Sequence, residues 1–171
     1  MNYIQTGEGR RLADQLFQIG AVKFGAFRLK LHEMQPDAPL SPIFFNLRTP
    51  DNPKEGPLDP ETIELIVQGF LALIKDQKLA YHGVCGIPNA GDPFSEKLIQ
   101  MLGFRKWIVR MKKTESGGKR QISDLLGPPS WRPSRDGVLL LDDVITEADT
   151  KLEAIGLLRR HSYRVNHLLV V

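Results

Sequence analysis

The sequence predicts an α/β fold: a central, mostly parallel sheet flanked by helices, with a small N-terminal hood. Three observations carry that prediction. Short apolar runs of strand length alternate with amphipathic helical stripes through most of the 171 residues. One run, GVLLL at 137–141, is too uniformly apolar for an exposed sheet face and reads as a central parallel strand. Two Asp-Pro pairs, Asp59-Pro60 and Asp92-Pro93, mark helix starts, because proline suits the first helical turn and an acid satisfies its free N–H groups.

Taken in order, residues 8–23 place Leu12, Leu16, Phe17, Ile19 and Val22 near helical spacing, an opening amphipathic helix. Two extended runs follow at 24–31 and 42–47, separated by turn-prone HEMQPDAPLS, and predict a hairpin or flap. The proline-rich connection TPDNPKEGPLDP leads to a long helix whose Ile63, Ile66, Val67, Phe70 and Ile74 form one apolar stripe. An apolar strand at 81–87 ends at Pro88 and passes through a tight turn into the second Asp-Pro helix. Residues 105–111 predict another strand, followed by a polar loop, then the strand at 137–141, a helix over 146–161 and a last strand in HLLVV. The chain is expected to form one domain over 1–171, divided into a helix-and-hood part at 1–57 and an α/β core at 58–171.

Composition narrows the function. With 42% hydrophobic and 25% charged residues, the chain has the make-up of a water-soluble globular protein, with no long apolar window to span a membrane. The start lacks a signal-peptide core, and the single cysteine, Cys85, forms no internal disulfide, so the cytoplasm is expected. Net charge is +3, yet Arg105, Lys106, Arg110, Lys112, Lys113, Lys119 and Arg120 crowd a stretch with one acid, Glu115, which suits a polyanionic ligand. Nucleic acid is disfavoured as that ligand, since Trp107 alone is at hand for base stacking. The four histidines lack metal-ligand spacing.

In open parallel sheets ligands bind beyond the carboxyl ends of the strands, where PNAGDP, RMKKTESGGKR and DDVITEADT fall. The third presents Asp142 and Asp143 beside unsatisfied helix N–H groups, a pair suited to ribose hydroxyls or a magnesium shell. Thr146 and Asp149 are also spaced as a capping box, which would let the helix satisfy its own N–H groups.

GVLLLDDVITEADTK resembles the phosphoribosyl pyrophosphate (PRPP) motif of type I phosphoribosyltransferases. FGAFRLKLHEMQPDAPLSPIFFNLR resembles the N-terminal segment of orotate phosphoribosyltransferases, and VCGIPNAGDPFSEKL their pyrophosphate-loop strand and helix, as found in UMP synthases. The resemblance implies a type I phosphoribosyltransferase fold and transfer of phosphoribose from PRPP to orotate or a related base, with release of pyrophosphate. It implies that Asp142 and Asp143 hold the ribose hydroxyls and that the loop from Thr146 through Ala148 to Thr150 holds the 5′-phosphate. Lys30, Pro88, Asn89 and Ala90 would face pyrophosphate, and Phe44 and Phe45 would line the base site. Arg110, with Lys112 or Lys113, would belong to a mobile catalytic loop hinged at Gly117 and Gly118. Mg2+ and a homodimer are implied as well. The phosphate loop departs from the family's small residues at Glu147 and Asp149, each worth about 1 kcal/mol of repulsion toward a phosphate charge at about 4 Å in water. The chain also lacks a match for the family's orotate-binding arginine. A non-catalytic phosphoribosyltransferase-like binding or regulatory module is the alternative.

Overall fold

The computed structural model describes residues 6–29, 31–103, 106–116, 119–126, 137–145 and 148–171. Helix α1 (Gly7–Gln18) is capped by Thr6, whose hydroxyl accepts from the Gly9 N–H at 3.1 Å. Strand β1 (Val22–Phe27), a short turn of helix α2 (Leu31–Met34) and strand β2 (Ser41–Phe45) make the expected flap. β1 and β2 pair antiparallel from Val22↔Phe45 to Phe27↔Ser41, with a bulge between Phe24 and Phe27. The run expected to stay extended through 31 turns helical instead. Buried His32 explains this: the Leu29 N–H donates to its Nδ1 (2.9 Å), and its Nε2 meets the Ala38 carbonyl (3.1 Å), so one ring pins both ends of the turn.

Helix α3 (Pro60–Asp76) starts as its sequence predicts, with the Asp59 carboxylate accepting from the Thr62 N–H at 2.7 Å. Strand β3 (Gly83–Gly86) leads into α4 (Asp92–Met101), where the N-cap is Gly91 and Asp92 and Pro93 occupy the first turn. Strands β4 (Trp107–Ile108), β5 (Arg110–Ser116), β6 (Lys119–Leu126) and β7 (Gly137–Asp142) follow, then helix α5 (Asp149–Arg160) and strand β8 (Arg164–Val170).

The central sheet has the order β4-β3-β7-β8, with parallel pairing throughout. Alternation along β7 divides the core: Leu139 and Leu141 face the cluster built on α3 and α4, while Val138 and Leu140 face the one built on α5, β5 and β6. The predicted stripe of α3 is confirmed, since Ile63, Ile66, Val67 and Phe70 are buried and Ile74 packs against them. Phe70 meets Phe94 of α4 edge-on, ring centroids 6.0 Å apart.

Two expectations are corrected. The strand expected over 105–111 is divided in two, Trp107–Ile108 as β4 and the opening of β5 at Arg110, with Arg105 outside the described residues. The polar stretch read as a loop carrying Arg110, Lys112 and Lys113 is an antiparallel ribbon, β5 paired with β6 from Arg110↔Leu126 to Ser116↔Lys119. Two strands flanking Gly117-Gly118, which lie outside the described residues, are a hairpin signal that the charge of the stretch obscures. Apolar positions in the ribbon secure its base: Met111 and Ile122 are buried against α5, and the Ile122 N–H donates to the Glu153 carboxylate at 3.1 Å. That bond falls beside the register slip at Lys112 and Lys113.

The turn from β3 to α4 is pressed onto the end of β7. The Ile87 N–H donates to the Leu141 carbonyl (2.9 Å), and the Gly91 N–H donates to the Ile87 carbonyl (2.8 Å). A Cβ on Gly91 would collide with the Leu141 carbonyl oxygen and stand 2.6 Å from the Ile87 nitrogen, both backbone atoms that cannot swing aside. Gly91→Ala is therefore expected to cost about 2–3 kcal/mol, lowering the thermal midpoint by about 5–10 °C in a circular-dichroism melt.

Candidate active site

The carboxyl edge of the sheet gathers two of the expected loops. Asp142 is the last residue of β7 and Asp143 the first beyond it, 3% and 8% exposed, so two acids are withdrawn from water at the strand end. The Asp143 carboxylate accepts from the Val144 N–H at 2.7 Å, and its carbonyl accepts from the Val171 N–H at 3.1 Å, which fixes the turn. One strand over, Gly86 of β3 pairs with Leu141, so the turn carrying Pro88, Asn89 and Ala90 leaves the sheet beside the acid pair. Pro88 is buried, Ala90 half-buried and Asn89 exposed, and the Pro88–Asn89 peptide is cis.

Helix α5 brings in a residue that sequence reasoning missed. Lys151 reaches back from the first turn of α5, and its Nζ lies 2.8 Å from Asp142 Oδ2, with side-chain exposures of 11% and 5%. Spacing alone gives no sign of it, because nine residues separate the partners and the turn between them decides whether they meet. Burial pushes the Asp142 carboxyl up to about 6; the Asp143 charge adds to that, and Lys151 opposes it.

The self-capped start expected for this helix is not what forms. The N-cap position is Ala148, in the left-handed conformation at φ 62°, with no side-chain cap, and the helix runs from Asp149. With the cap two residues beyond Thr146, the Thr146–Asp149 box is out of register. Thr146 and Glu147 lie outside the described residues; Ala148 and Thr150 are half-buried at the helix start. A glycine-like backbone angle thus stands at an alanine, whose own side chain offers no cap to the first N–H groups of α5.

The other expected residues are placed as follows. Phe44 is half-buried and stacks on Phe27, ring centroids 5.5 Å apart, while Phe45, on the opposite face of β2, is 45% exposed. Lys30 lies outside the described residues. Arg110 opens β5 and pairs with Glu96 of α4 at 3.2 Å. It lines a groove of about 530 Å³ with Pro60, Ile63, Pro93 and Ile108, a groove the acid pair does not border. Lys112 is exposed on the same strand as Lys113. Among the described residues there is no group of three or more His, Cys, Asp or Glu able to hold a metal. Cys85 is buried, and burial raises its thiol well above the ordinary range, so it is a small core residue rather than a nucleophile.

An acid pair closing a buried parallel strand, a tight turn on the neighbouring strand and the start of α5 thus meet at one sheet edge. No protein-family model matches the chain. It is 26% identical over 149 residues to uridine 5′-monophosphate synthase of Caenorhabditis elegans, covering 87% of this chain and 27% of that protein. It is 26% identical over 162 residues to orotate phosphoribosyltransferase of Methanopyrus kandleri, covering 94% of this chain and 75% of that one. Among solved structures, Leishmania donovani UMP synthase superposes with a TM-score of 0.71 at 21% identity, over 96% of this chain and 31% of that one. Orotate phosphoribosyltransferase from Aeropyrum pernix superposes with a TM-score of 0.66 at 22% identity, over 94% and 80%. The chain therefore spans about a quarter of the curated UMP synthase it matches and three quarters of the orotate enzyme. It shares its fold with these solved structures and resembles orotate phosphoribosyltransferases and UMP synthases in sequence.

Two predictions follow from this geometry. Ala148→Gly relieves a left-handed alanine and is expected to stabilise the fold by about 0.5–1 kcal/mol, a rise of about 2–4 °C in the thermal midpoint. For Asp142 the folded pKa near 6 lies above its ordinary 3.8. The folded state therefore holds the proton more tightly, and the stability this contributes is complete in acid and lost as pH rises through about 6. The melting temperature of Asp142→Asn should gain on that of the wild type between about pH 4 and pH 7; a constant gap would refute the shift.

Proposed function

We propose that this protein transfers phosphoribose from PRPP to orotate or a related pyrimidine base and releases pyrophosphate. The observation that carries this reading is the pair Asp142–Asp143 at the carboxyl end of buried β7, flanked by the Pro88–Asn89–Ala90 turn and the start of α5. The 26% identities to an orotate phosphoribosyltransferase and a UMP synthase support it and favour the orotate reaction over other base exchanges.

In this reading a ring nitrogen of the base bonds to C1 of the ribose as the bond from C1 to pyrophosphate oxygen breaks. The transition state is oxocarbenium-like, with negative charge growing on the leaving pyrophosphate. Asp142 and Asp143 hold the ribose hydroxyls and orient C1. The N–H groups at Ala148, Asp149 and Thr150, with Thr146, take the 5′-phosphate, as helix N-termini do. The turn at Pro88, Asn89 and Ala90, with Lys30, holds pyrophosphate at the adjacent strand end. One of Phe44 and Phe45, which lie on opposite faces of β2, bounds the base. Arg110, Lys112 and Lys113 neutralise the leaving group from the ribbon, whose base stays anchored through Met111, Ile122 and Glu153. Two carboxylates suit Mg2+ that arrives on the oxygens of PRPP rather than in a protein-only shell. That Mg2+, when bound, supplies positive charge to the pyrophosphate. One domain, a homodimer and a cytoplasmic location complete the proposal; among the described residues no helix is long and apolar enough to cross a membrane.

A second reading is favoured by one feature: with Glu147 and Asp149 the phosphate loop carries two acids, which suits a binding module that no longer turns over. Pyrophosphate release from PRPP with orotate and magnesium separates the two. Wild type should release it, and Asp142→Asn with Asp143→Asn should lower kcat/KM by about 100-fold or more, as expected for two charge-assisted hydrogen bonds. Wild type that binds PRPP without release would establish the module instead.

A further inference from the structure

The segment from Asp142 to Lys151 holds four carboxylates, Asp142, Asp143, Glu147 and Asp149, and one base, Lys151. A 5′-phosphate entering at the start of α5 adds further negative charge to that acidic loop. The structure has one nearby countercharge on the same segment, and it is already committed: Lys151 Nζ sits 2.8 Å from Asp142 Oδ2, both side chains almost withdrawn from water. Lys151 is the third residue of α5, and helical side chains lean back toward the N-terminus. Its ammonium is thereby carried from the first turn of α5 to the acid at the end of β7, the two places that a ribose 5-phosphate would join.

We infer that Lys151 is the residue that lets this acidic loop accept the 5′-phosphate: in the free protein its ammonium neutralises Asp142, and in the complex it is shared with the phosphate as Asp142 turns to the ribose hydroxyls. The inference rests on the phosphoribosyltransferase reading and goes beyond it, since it assigns to one lysine the compensation for Glu147 and Asp149. The two acids and the lysine then act as a set. Removing the lysine alone leaves two buried acids and an acidic loop facing the phosphate; removing the loop acids makes the lysine less necessary.

Titration calorimetry of the full chain tests this with three probes: PRPP with magnesium, ribose 5-phosphate, and pyrophosphate with magnesium. Lys151→Met should weaken PRPP and ribose 5-phosphate by about tenfold or more, the size expected for one charge-assisted contact, and leave pyrophosphate within about twofold. Lys151→Arg, which keeps the charge, should restore most of the lost affinity. In a Glu147→Ser, Asp149→Gly background the cost of Lys151→Met should shrink to about threefold or less. Unchanged affinity in Lys151→Met overturns the inference, and so does an equal loss for all three probes, the mark of a merely structural ion pair. Wild type that binds none of the probes overturns the phosphoribosyltransferase reading itself.

Discussion

With Leu139 and Leu141 directed to one side of the sheet and Val138 and Leu140 to the other, β7 has no face left for water, and everything else is arranged around covering it. α3 and α4 close one side, while α5 and the base of the β5–β6 ribbon close the other. A strand so enclosed is rigid, and its end is a fixed point from which Asp142 and Asp143 project. The Leu141 carbonyl at that end accepts the Ile87 N–H and leaves no room for a side chain at Gly91. Two chain segments far apart in sequence are thereby held together at one edge.

Placing acids at such an edge carries an electrostatic cost. Burial raises the Asp142 carboxyl, and the neighbouring Asp143 adds to the rise. Lys151 offsets this with an ion pair that itself lies almost out of water, where removing one partner is far more damaging than the pair is stabilising. The left-handed Ala148 puts a strained backbone angle at the start of the same helix, next to the ion pair.

Much of the fold could be read from local chemistry. Asp59 caps α3, the apolar stripe of that helix is its buried face, and GVLLL lies in the middle of a parallel sheet, because each signal rests on residues within one or two turns of one another. The ribbon was hidden: its alternation is broken by Lys112 and Lys113, where the register slips, and by the mass of charge that made the stretch look like a loop. The helical turn at Leu31–Met34 was hidden too, because it depends on the ring of His32 bridging Leu29 and Ala38. As to the site, the acid pair and the Pro88–Asn89–Ala90 turn stood out as the ends of apolar strands.

The sequence by itself determined the layer architecture, the strand that must be central, the starts of α3 and α4 and the acid pair, since burial periodicity, proline and capping chemistry are local properties. Tertiary structure decided that α5 begins at Asp149 rather than near Thr146, that Ala148 takes a left-handed angle, and that Lys151 meets Asp142. Each of those depends on how α5 packs back on the sheet through Ala154, Leu157 and Leu158, contacts made with residues distant in the sequence.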